Sequence, residues 1–173
     1  MIESAHLAGA YRKSDSRPPD AVEAIVIHRN TVALERRTDG SLRWPGANDA
    51  ERTAAFHRGS PVAAERFRLF PYHYFVDADG SVHRIHDVGV TSPHKAGFNR
   101  TRVGVALCHD GRVAAPPEHV FAGAVEAVRD AWRRLGRRVP LEPHSEAKRC
   151  PGHHISTVKI ERAAQALEAK DGS

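Results

Sequence analysis

Three residues of this sequence have side chains of the types that bind zinc, and they lie where strands or turns are expected to end: His28, His144 and Cys150. Together they offer two imidazoles and a thiolate, the ligand set of a zinc centre whose fourth position is open to water, which makes hydrolysis the leading hypothesis. His144 and Cys150 are six residues apart, so on a helix they would point about 240° away from each other. Pro143 and Pro151-Gly152 disfavour a continuous helix there, and we therefore expect a loop in which the two side chains converge.

The other histidines keep the choice of ligands open. The chain has 12 histidines, so a histidine close to a cysteine is weak support for a metal site. His153 and His154 follow the cysteine closely and are rival ligands. His83 is expected to face solvent or to satisfy a local hydrogen bond. Cys108 ends an apolar run and is expected to be a buried, unreactive thiol.

Three strand regions are expected to position these side chains. Val22–His28 contains the continuous β-branched run Ile25-Val26-Ile27, which is typical of a central strand. The segment Phe70–His86 predicts a hairpin, because aspartate and glycine at residues 77–80 supply the local hydrogen bonds and the positive φ of a turn. Val103–Cys108 is a further apolar strand.

Helices are predicted at three places. The first begins at residue 48 or 49 and ends near residue 58. The second covers residues 117–135, where apolar residues recur in steps of three and four, and Gly136 is its expected C-cap. The third covers about residues 155–169, with four possible inward-facing residues: Ile155, Val158, Ala163 and Leu167. Because strands and helices do not alternate strictly, we predict a mixed α/β fold with a central mixed β-sheet flanked by helices.

Length and charge limit the possible classes of protein. The 173 residues suffice for one compact domain, which we place at residues 21–173 after an irregular N-terminal arm of residues 1–20. No stretch approaches the roughly 20 apolar residues of a membrane span. Residues 1–19 lack the apolar core of a secretory signal, so we expect synthesis in the cytoplasm without signal-dependent export. The net charge of +5 and the pI of about 9.6 favour polyanionic partners, such as nucleic acid, anionic lipid or an acidic cell wall.

Five segments, taken in order, resemble a known enzyme family. They are Ile25-Val26-Ile27-His28, Tyr72-His73-Tyr74-Phe75-Val76-Asp77-Ala78-Asp79-Gly80, Pro93-His94-Lys95-Ala96-Gly97-Phe98-Asn99, Val103-Gly104-Val105-Ala106-Leu107 and Cys150-Pro151-Gly152. On these segments the chain resembles the zinc-dependent N-acetylmuramoyl-L-alanine amidases of the amidase-2 and peptidoglycan recognition protein superfamily, and most closely the small phage amidases. The resemblance covers nearly the whole domain and implies a mixed sheet flanked by helices, with the metal in a surface groove.

The resemblance also implies roles for individual residues. In the family's pattern the tyrosine could orient water or assist proton transfer, and the lysine, as a cation, could stabilise an oxyanion. Glu146 is a rival acid–base candidate, although a solvent-facing position is expected for it. The implied residues are His28, His144 and Cys150 for zinc, Tyr72 and Lys148 for catalysis, and His94 and Asn99 for substrate binding.

Some positions depart from the family's pattern. Many relatives have a second histidine where this chain has Arg29. The usual Gly-His-Arg-Asp around the second histidine is replaced by Pro143-His144-Ser145-Glu146, and the gap to Cys150 is shorter than the common one. The branch that recycles wall fragments in the cytoplasm carries a glutamate where this chain has Ala106, which weighs against that branch.

The resemblance implies hydrolysis of the amide between N-acetylmuramic acid and L-alanine in peptidoglycan, with Zn²⁺ as cofactor. A lytic role like that of a phage endolysin is expected, with access to the wall through holin-type holes. The expected partner is the muropeptide stem, without nucleic acid or membrane insertion, and a monomer is expected. Three alternatives stay open: an anhydro-muropeptide recycling amidase, a non-catalytic peptidoglycan-binding module and a basic nucleic-acid-binding protein.

Overall fold

The computed structural model describes residues 1–8, 15–30, 35–36, 42–43, 50, 53, 70–145, 147 and 149–171. The strands within these residues are β1 (Ile2–Glu3), β2 (Ala24–Arg29), β3 (Glu35–Arg36), β4 (Leu42–Arg43), β5 (Tyr74–Val76), β6 (Val82–Arg84), β7 (Arg102–Leu107) and β8 (Leu141–Pro143). The α-helices are α1 (Glu118–Leu135) and α2 (Thr157–Asp171).

Six of these strands form one mixed sheet in the order β1-β6-β5-β7-β2-β8, while β3 and β4 pair separately. β5 and β6 are antiparallel and form the predicted hairpin, whose turn contains Gly80 with a φ of 85°. The other neighbouring pairs in the sheet are parallel. The predicted strands at Val22–His28 and Val103–Cys108 correspond to β2 and β7, so the prediction of a mixed sheet flanked by helices is confirmed.

Alternation along the central strands gives the sheet two different faces. Ile25 and Ile27 of β2 and Val105 of β7 belong to the main hydrophobic core, together with buried residues of α1 and α2. The residues between them point the opposite way, because successive side chains of a strand alternate. His28 and Ala106 therefore lie on the other side of the sheet.

Helix α1 confirms the amphipathic pattern read from the sequence. It ends at Gly136, whose φ of 66° is left-handed and favours glycine at this C-cap. Its apolar side packs on β5, β6 and β7. Trp132 is fully buried, and its Nε1–H donates to the carbonyl oxygen of Val139 at 2.9 Å, so the ring enters the core without an unsatisfied donor.

Helix α2 begins slightly later than predicted and presents a different side to the core. Its buried residues are Ile160 and Ala164, whereas Val158 and Leu167 are 53% and 40% exposed. The expectation that these two face inward was therefore wrong. Val158 lies about 200° around the helix from Ile160, and the packing of α2 on α1 selects the side with Ile160. Ile155 is buried as expected, just before the helix begins.

The N-terminal residues join the sheet instead of remaining irregular throughout. β1 runs parallel to β6 at the edge of the sheet. Arg17 is buried, and its guanidinium donates to the carbonyl oxygens of Val88, Asn99 and Arg102 at 2.9, 2.7 and 2.6 Å. These bonds attach the start of the chain to the segment between β6 and β7 and to the first residue of β7. A domain boundary after residue 20 stays a prediction.

One predicted helix lies largely outside the described residues. Of the segment from residue 48 or 49 to about residue 58, the structure describes Ala50 and Thr53, and both are helical. Across the described part of the chain, no helix has the length and apolar character that a membrane crossing requires.

Candidate metal centre

Parallel pairing of β2 with β8 places His28 beside His144. In this pair Ile27 lies opposite Pro143, so the residues that follow them meet at the same edge of the sheet. The backbone N–H of His144 donates to the carbonyl oxygen of Ile27 at 3.2 Å, and the two imidazole centroids are 4.4 Å apart. A three-residue strand thus joins two histidines that are far apart in sequence.

A closed loop brings Cys150 back to the two histidines. Ser145 and Cys150 form an antiparallel bridge in which each backbone N–H donates to the other's carbonyl oxygen, at 3.0 and 2.9 Å. Arg149 adopts a left-handed φ of 48° immediately before the cysteine. The segment is a loop, as Pro143 and Pro151 predict, and its short length is compatible with convergence.

These three side chains fit a zinc ion. Their candidate ligand atoms all lie within 4.8 Å of one another, and a tetrahedral zinc site with bonds of about 2.0–2.3 Å needs separations of roughly 3.5 Å. Burial, with the neighbouring His94 and His144, lowers the pKa of His28 well below its usual value. His28 is therefore neutral at pH 7, which is the form that binds metal.

The surroundings of Cys150 are partly cationic. Burial raises the pKa of its thiol, while the backbone N–H of Arg29, which donates to it, and the Arg29 charge act in the opposite direction. The Arg29 guanidinium lies 3.4 Å from the buried carboxylate of Asp110, which also accepts a hydrogen bond from Nε of Arg112 at 2.9 Å. Arg29 thus places an ion-paired cation next to the thiol.

Tyr72 lies against the same cluster. Its ring centroid is 5.0 Å from that of His28, and the ring also packs against Phe70 and Phe75 at 6.0 and 6.4 Å. Burial and the nearby Cys150 raise the pKa of Tyr72 above its usual value. The phenol therefore stays protonated at neutral pH and can donate a hydrogen bond.

His94 and Asn99, for which the resemblance implies substrate binding, are engaged in the protein itself. His94 is 7% exposed, and burial lowers its pKa to about 3. Its Nδ1 lies 3.1 Å from Nε2 of His28, and its Nε2 lies 3.1 Å from the carbonyl oxygen of Arg102. The side-chain oxygen of Asn99 accepts the backbone N–H of Lys95 at 2.6 Å and so closes the loop that carries His94.

The rival ligands lie apart from the cluster. His153 and His154 are exposed, and their rings pack on each other at 4.0 Å. Among the residues that the structure describes, the group around His28 that could hold a metal includes neither of them. Their closeness to Cys150 in sequence does not bring them into the group.

Two further predictions concern side chains away from the cluster. The ring of His83 bonds to Oδ2 of Asp77 and to Oγ of Ser4, both at 2.8 Å, which confirms a local hydrogen-bonding role. Cys108 is buried as expected and forms no disulfide. Lys148 and Glu146 lie outside the described residues, so their roles stay predictions.

A cleft opens beside Cys150. It has a volume of about 440 Å³, and its lining includes Ser145, Cys150, His153 and Ile155. Ligand clefts in proteins commonly measure about 300–1,000 Å³. Cys150 in its wall places the cleft next to the candidate metal centre, although His28 and His144 are not among the residues that line it.

Several solved structures have the same fold. Bumblebee peptidoglycan recognition protein PGRP-SA superposes with a TM-score of 0.69 and 15% identity, with 92% of each chain covered. The N-acetylmuramoyl-L-alanine amidase LysC from Clostridium intestinale URNW gives a TM-score of 0.65 and 16% identity over 95% of this chain and 96% of that one. A mutant of Drosophila PGRP-LB in complex with tracheal cytotoxin gives 0.66 and 17%, with 92% of each chain covered.

The sequence itself identifies the family. No curated protein matches the chain significantly. The family model described as N-acetylmuramoyl-L-alanine amidase matches residues 17–153, a range that contains His28, His144 and Cys150. Since this range is well over half of the 173 residues, the chain belongs to the N-acetylmuramoyl-L-alanine amidase family.

Proposed function

We propose that the protein is a zinc-dependent amidase that cleaves the bond between N-acetylmuramic acid and L-alanine in peptidoglycan. The observation that carries the proposal is the convergence of His28, His144 and Cys150 within 4.8 Å, with Cys150 in the wall of a cleft. Three protein ligands leave a fourth position for water or substrate, as in catalytic zinc sites. The thiol proton of Cys150 must leave when the metal binds.

The surrounding residues divide the remaining chemistry. When bound, zinc supplies Lewis acidity that polarises the scissile carbonyl and helps to generate a water nucleophile. The protonated phenol of Tyr72 donates a hydrogen bond toward the reacting oxygens and orients them. Lys148, two residues before Cys150 in the sequence, is proposed to supply a positive charge for the oxyanion that forms when water attacks.

The muropeptide is proposed to bind in the cleft beside Cys150. The volume of about 440 Å³ suits a lactyl group with the first residues of a stem peptide. The complex of the similar PGRP-LB structure with tracheal cytotoxin supports a ligand of this class. Asn99 would contribute to binding by holding the loop at Lys95 in place.

A lytic role on intact cell walls, with release from the cytoplasm by holin-type holes, is the proposed biological context. The similarity to a structure named as an endolysin from Clostridium intestinale supports it. Ala106 lies directly opposite His28 in the sheet, so a methyl group stands where the recycling branch carries a glutamate. We therefore expect faster turnover of intact sacculi than of soluble anhydro-muropeptide, and the reverse preference would favour the recycling alternative.

Replacing Tyr72 with phenylalanine should lower turnover about 100-fold, because the protonated hydroxyl is lost from the site. Zinc content should stay at the wild-type level, since the phenol is not one of the three ligands. Tyr74→Phe is a matched control. Its hydroxyl donates to Asp130 at 2.9 Å on the helix side of the sheet, so its loss should leave turnover unchanged. Loss of zinc in Tyr72→Phe, or equal turnover in the two variants, would refute the role of Tyr72.

Removal of the metal should abolish hydrolysis while leaving the fold intact. Treatment with a chelator is expected to stop the release of stem peptides, and added zinc should restore it. Binding to peptidoglycan should partly survive, because the cleft residues remain in place. A protein that binds peptidoglycan but never hydrolyses it, with or without zinc, would instead be the non-catalytic binding module.

A further inference from the structure

The buried ring of His94 connects the candidate ligand His28 to the backbone of β7. Nδ1 of His94 is 3.1 Å from Nε2 of His28, and Nε2 of His94 is 3.1 Å from the carbonyl oxygen of Arg102. His28 is 1% exposed and His94 is 7% exposed. The two rings meet nearly edge to face, with an interplanar angle of 79°. Water therefore has little access to the bond between them.

The carbonyl oxygen of Arg102 determines the direction of both hydrogen bonds in the series from His28 through His94 to Arg102. A carbonyl oxygen only accepts, so Nε2 of His94 must carry the proton. A neutral imidazole has one N–H and one lone pair, which leaves the lone pair of His94 on Nδ1. Nε2 of His28 must then donate to it, and the lone pair of His28 is left on Nδ1.

The carbonyl oxygen of Arg102, which ends this series of hydrogen bonds, is itself held in place. The oxygen of Arg102 also accepts a hydrogen bond from the buried guanidinium of Arg17 at 2.6 Å. The sheet leaves space for the His94 ring, because a Cβ atom at Gly104 would come within 2.8 Å of Cγ of His94. A glycine at this position of β7 thus leaves room for the ring.

We propose that His94 is a positioning residue that holds His28 as the Nε2–H tautomer and so directs Nδ1 of His28 at the metal. This inference rests on the proposed function for the identity of the metal, and it changes the role that the resemblance implies for His94. Partners that orient a metal-bound histidine through its second nitrogen commonly contribute 10–100-fold to metal affinity. His94 would do so with a neutral ring in place of the more usual carboxylate or carbonyl.

Zinc affinity in three variants tests the proposal. His94→Leu removes the acceptor and should weaken zinc binding about 10–100-fold. In His94→Asn the side-chain oxygen can replace Nδ1 as the acceptor, so this variant should keep most of the wild-type zinc affinity. His86→Leu is the matched control, since His86 is also buried and its Nε2 bonds to the carbonyl oxygen of Phe70 at 2.7 Å. It should bind zinc like the wild type. Equal losses in His94→Leu and His94→Asn would overturn the proposal.

Long-range ¹H–¹⁵N correlation spectra of the zinc-loaded wild-type protein test it without a mutation. They should show a proton on Nε2 of His28 and zinc on Nδ1, and the opposite arrangement would overturn the inference. Gly104→Ala, which displaces the His94 ring but keeps its chemistry, should weaken zinc binding as His94→Leu does, and unchanged affinity would contradict the proposal. These readouts do not depend on hydrolysis. A protein with the expected tautomer that never cleaves peptidoglycan would refute the proposed function alone.

Discussion

Replacement of Cys150 with alanine is expected to remove bound zinc and to lower amidase turnover about 1,000-fold. Metal ions supply several kcal/mol of transition-state stabilisation, and each 1.36 kcal/mol corresponds to a factor of ten in rate. Only His28 and His144 would remain as protein ligands, and two imidazoles do not hold the metal as three ligands do. Metal analysis and turnover on purified peptidoglycan, measured on the same sample, check both parts of the expectation.

Cys108→Ala is the matched control for this experiment. Cys108 is buried even more deeply than the candidate ligand, but it packs in the cluster that contains Phe75 and Ala106. Its substitution should cost about 1 kcal/mol of stability through the small cavity it leaves, with zinc content and turnover retained. If Cys150→Ala kept its zinc, or if Cys108→Ala lost it, the assignment of the thiolate ligand would be wrong.

Replacement of Arg17 with alanine should destabilise the protein by about 3–5 kcal/mol, more than the other substitutions for which a loss of stability is expected. The guanidinium donates to three backbone carbonyl oxygens, those of Val88, Asn99 and Arg102. Each buried acceptor left without a donor costs about 1–3 kcal/mol, and water that enters the space recovers part of this cost. Thermal unfolding should show a melting temperature lower by roughly 10 °C.

A nearby arginine provides the comparison for Arg17→Ala. Arg100 is exposed, and its charge contributes, after burial, to lowering the pKa of Arg17 to about 10. Arg100→Ala should therefore change stability by no more than about 0.5 kcal/mol. Similar melting temperatures for the two variants would show that the buried hydrogen bonds of Arg17 are not what holds this part of the chain.

The sequence predicted well those elements whose pattern is local. β2 and β7 are continuous apolar runs, and α1 repeats apolar residues at helical spacing over its whole length, so each was predicted with small errors at the ends. β8 was missed because its three residues, Leu141–Pro143, carry no periodic signal and include a proline. Yet β8 sets the register that places His144 beside His28. That placement depends on pairing with β2, which a local pattern does not contain.

The sequence indicated which residues would converge, while it did not indicate the support around them. Residue types and helix-breaking prolines made His28, His144 and Cys150 candidates and left His153 and His154 open, and the resemblance implied the three as zinc ligands. The structure brings the three side chains together, and the bridge between Ser145 and Cys150 explains how the shortened loop still converges. The hydrogen bond of His94 to His28 links residues on different strands and loops. Its only sequence signal was the segment Pro93–Asn99, whose resemblance to a groove loop suggests contact with substrate instead.

The products formed from purified peptidoglycan test the central claim most directly. Mass spectrometry of a digest made with the zinc-loaded protein should show stem peptides with a free L-alanine amine, alongside glycan strands whose N-acetylmuramic acid lactyl groups now end in free carboxylates. The protein treated with a chelator and the Cys150→Ala variant should release neither of these products. New reducing sugar ends in place of free L-alanine amines would show glycosidase chemistry, and would contradict the assignment of His28, His144 and Cys150 to an amidase centre.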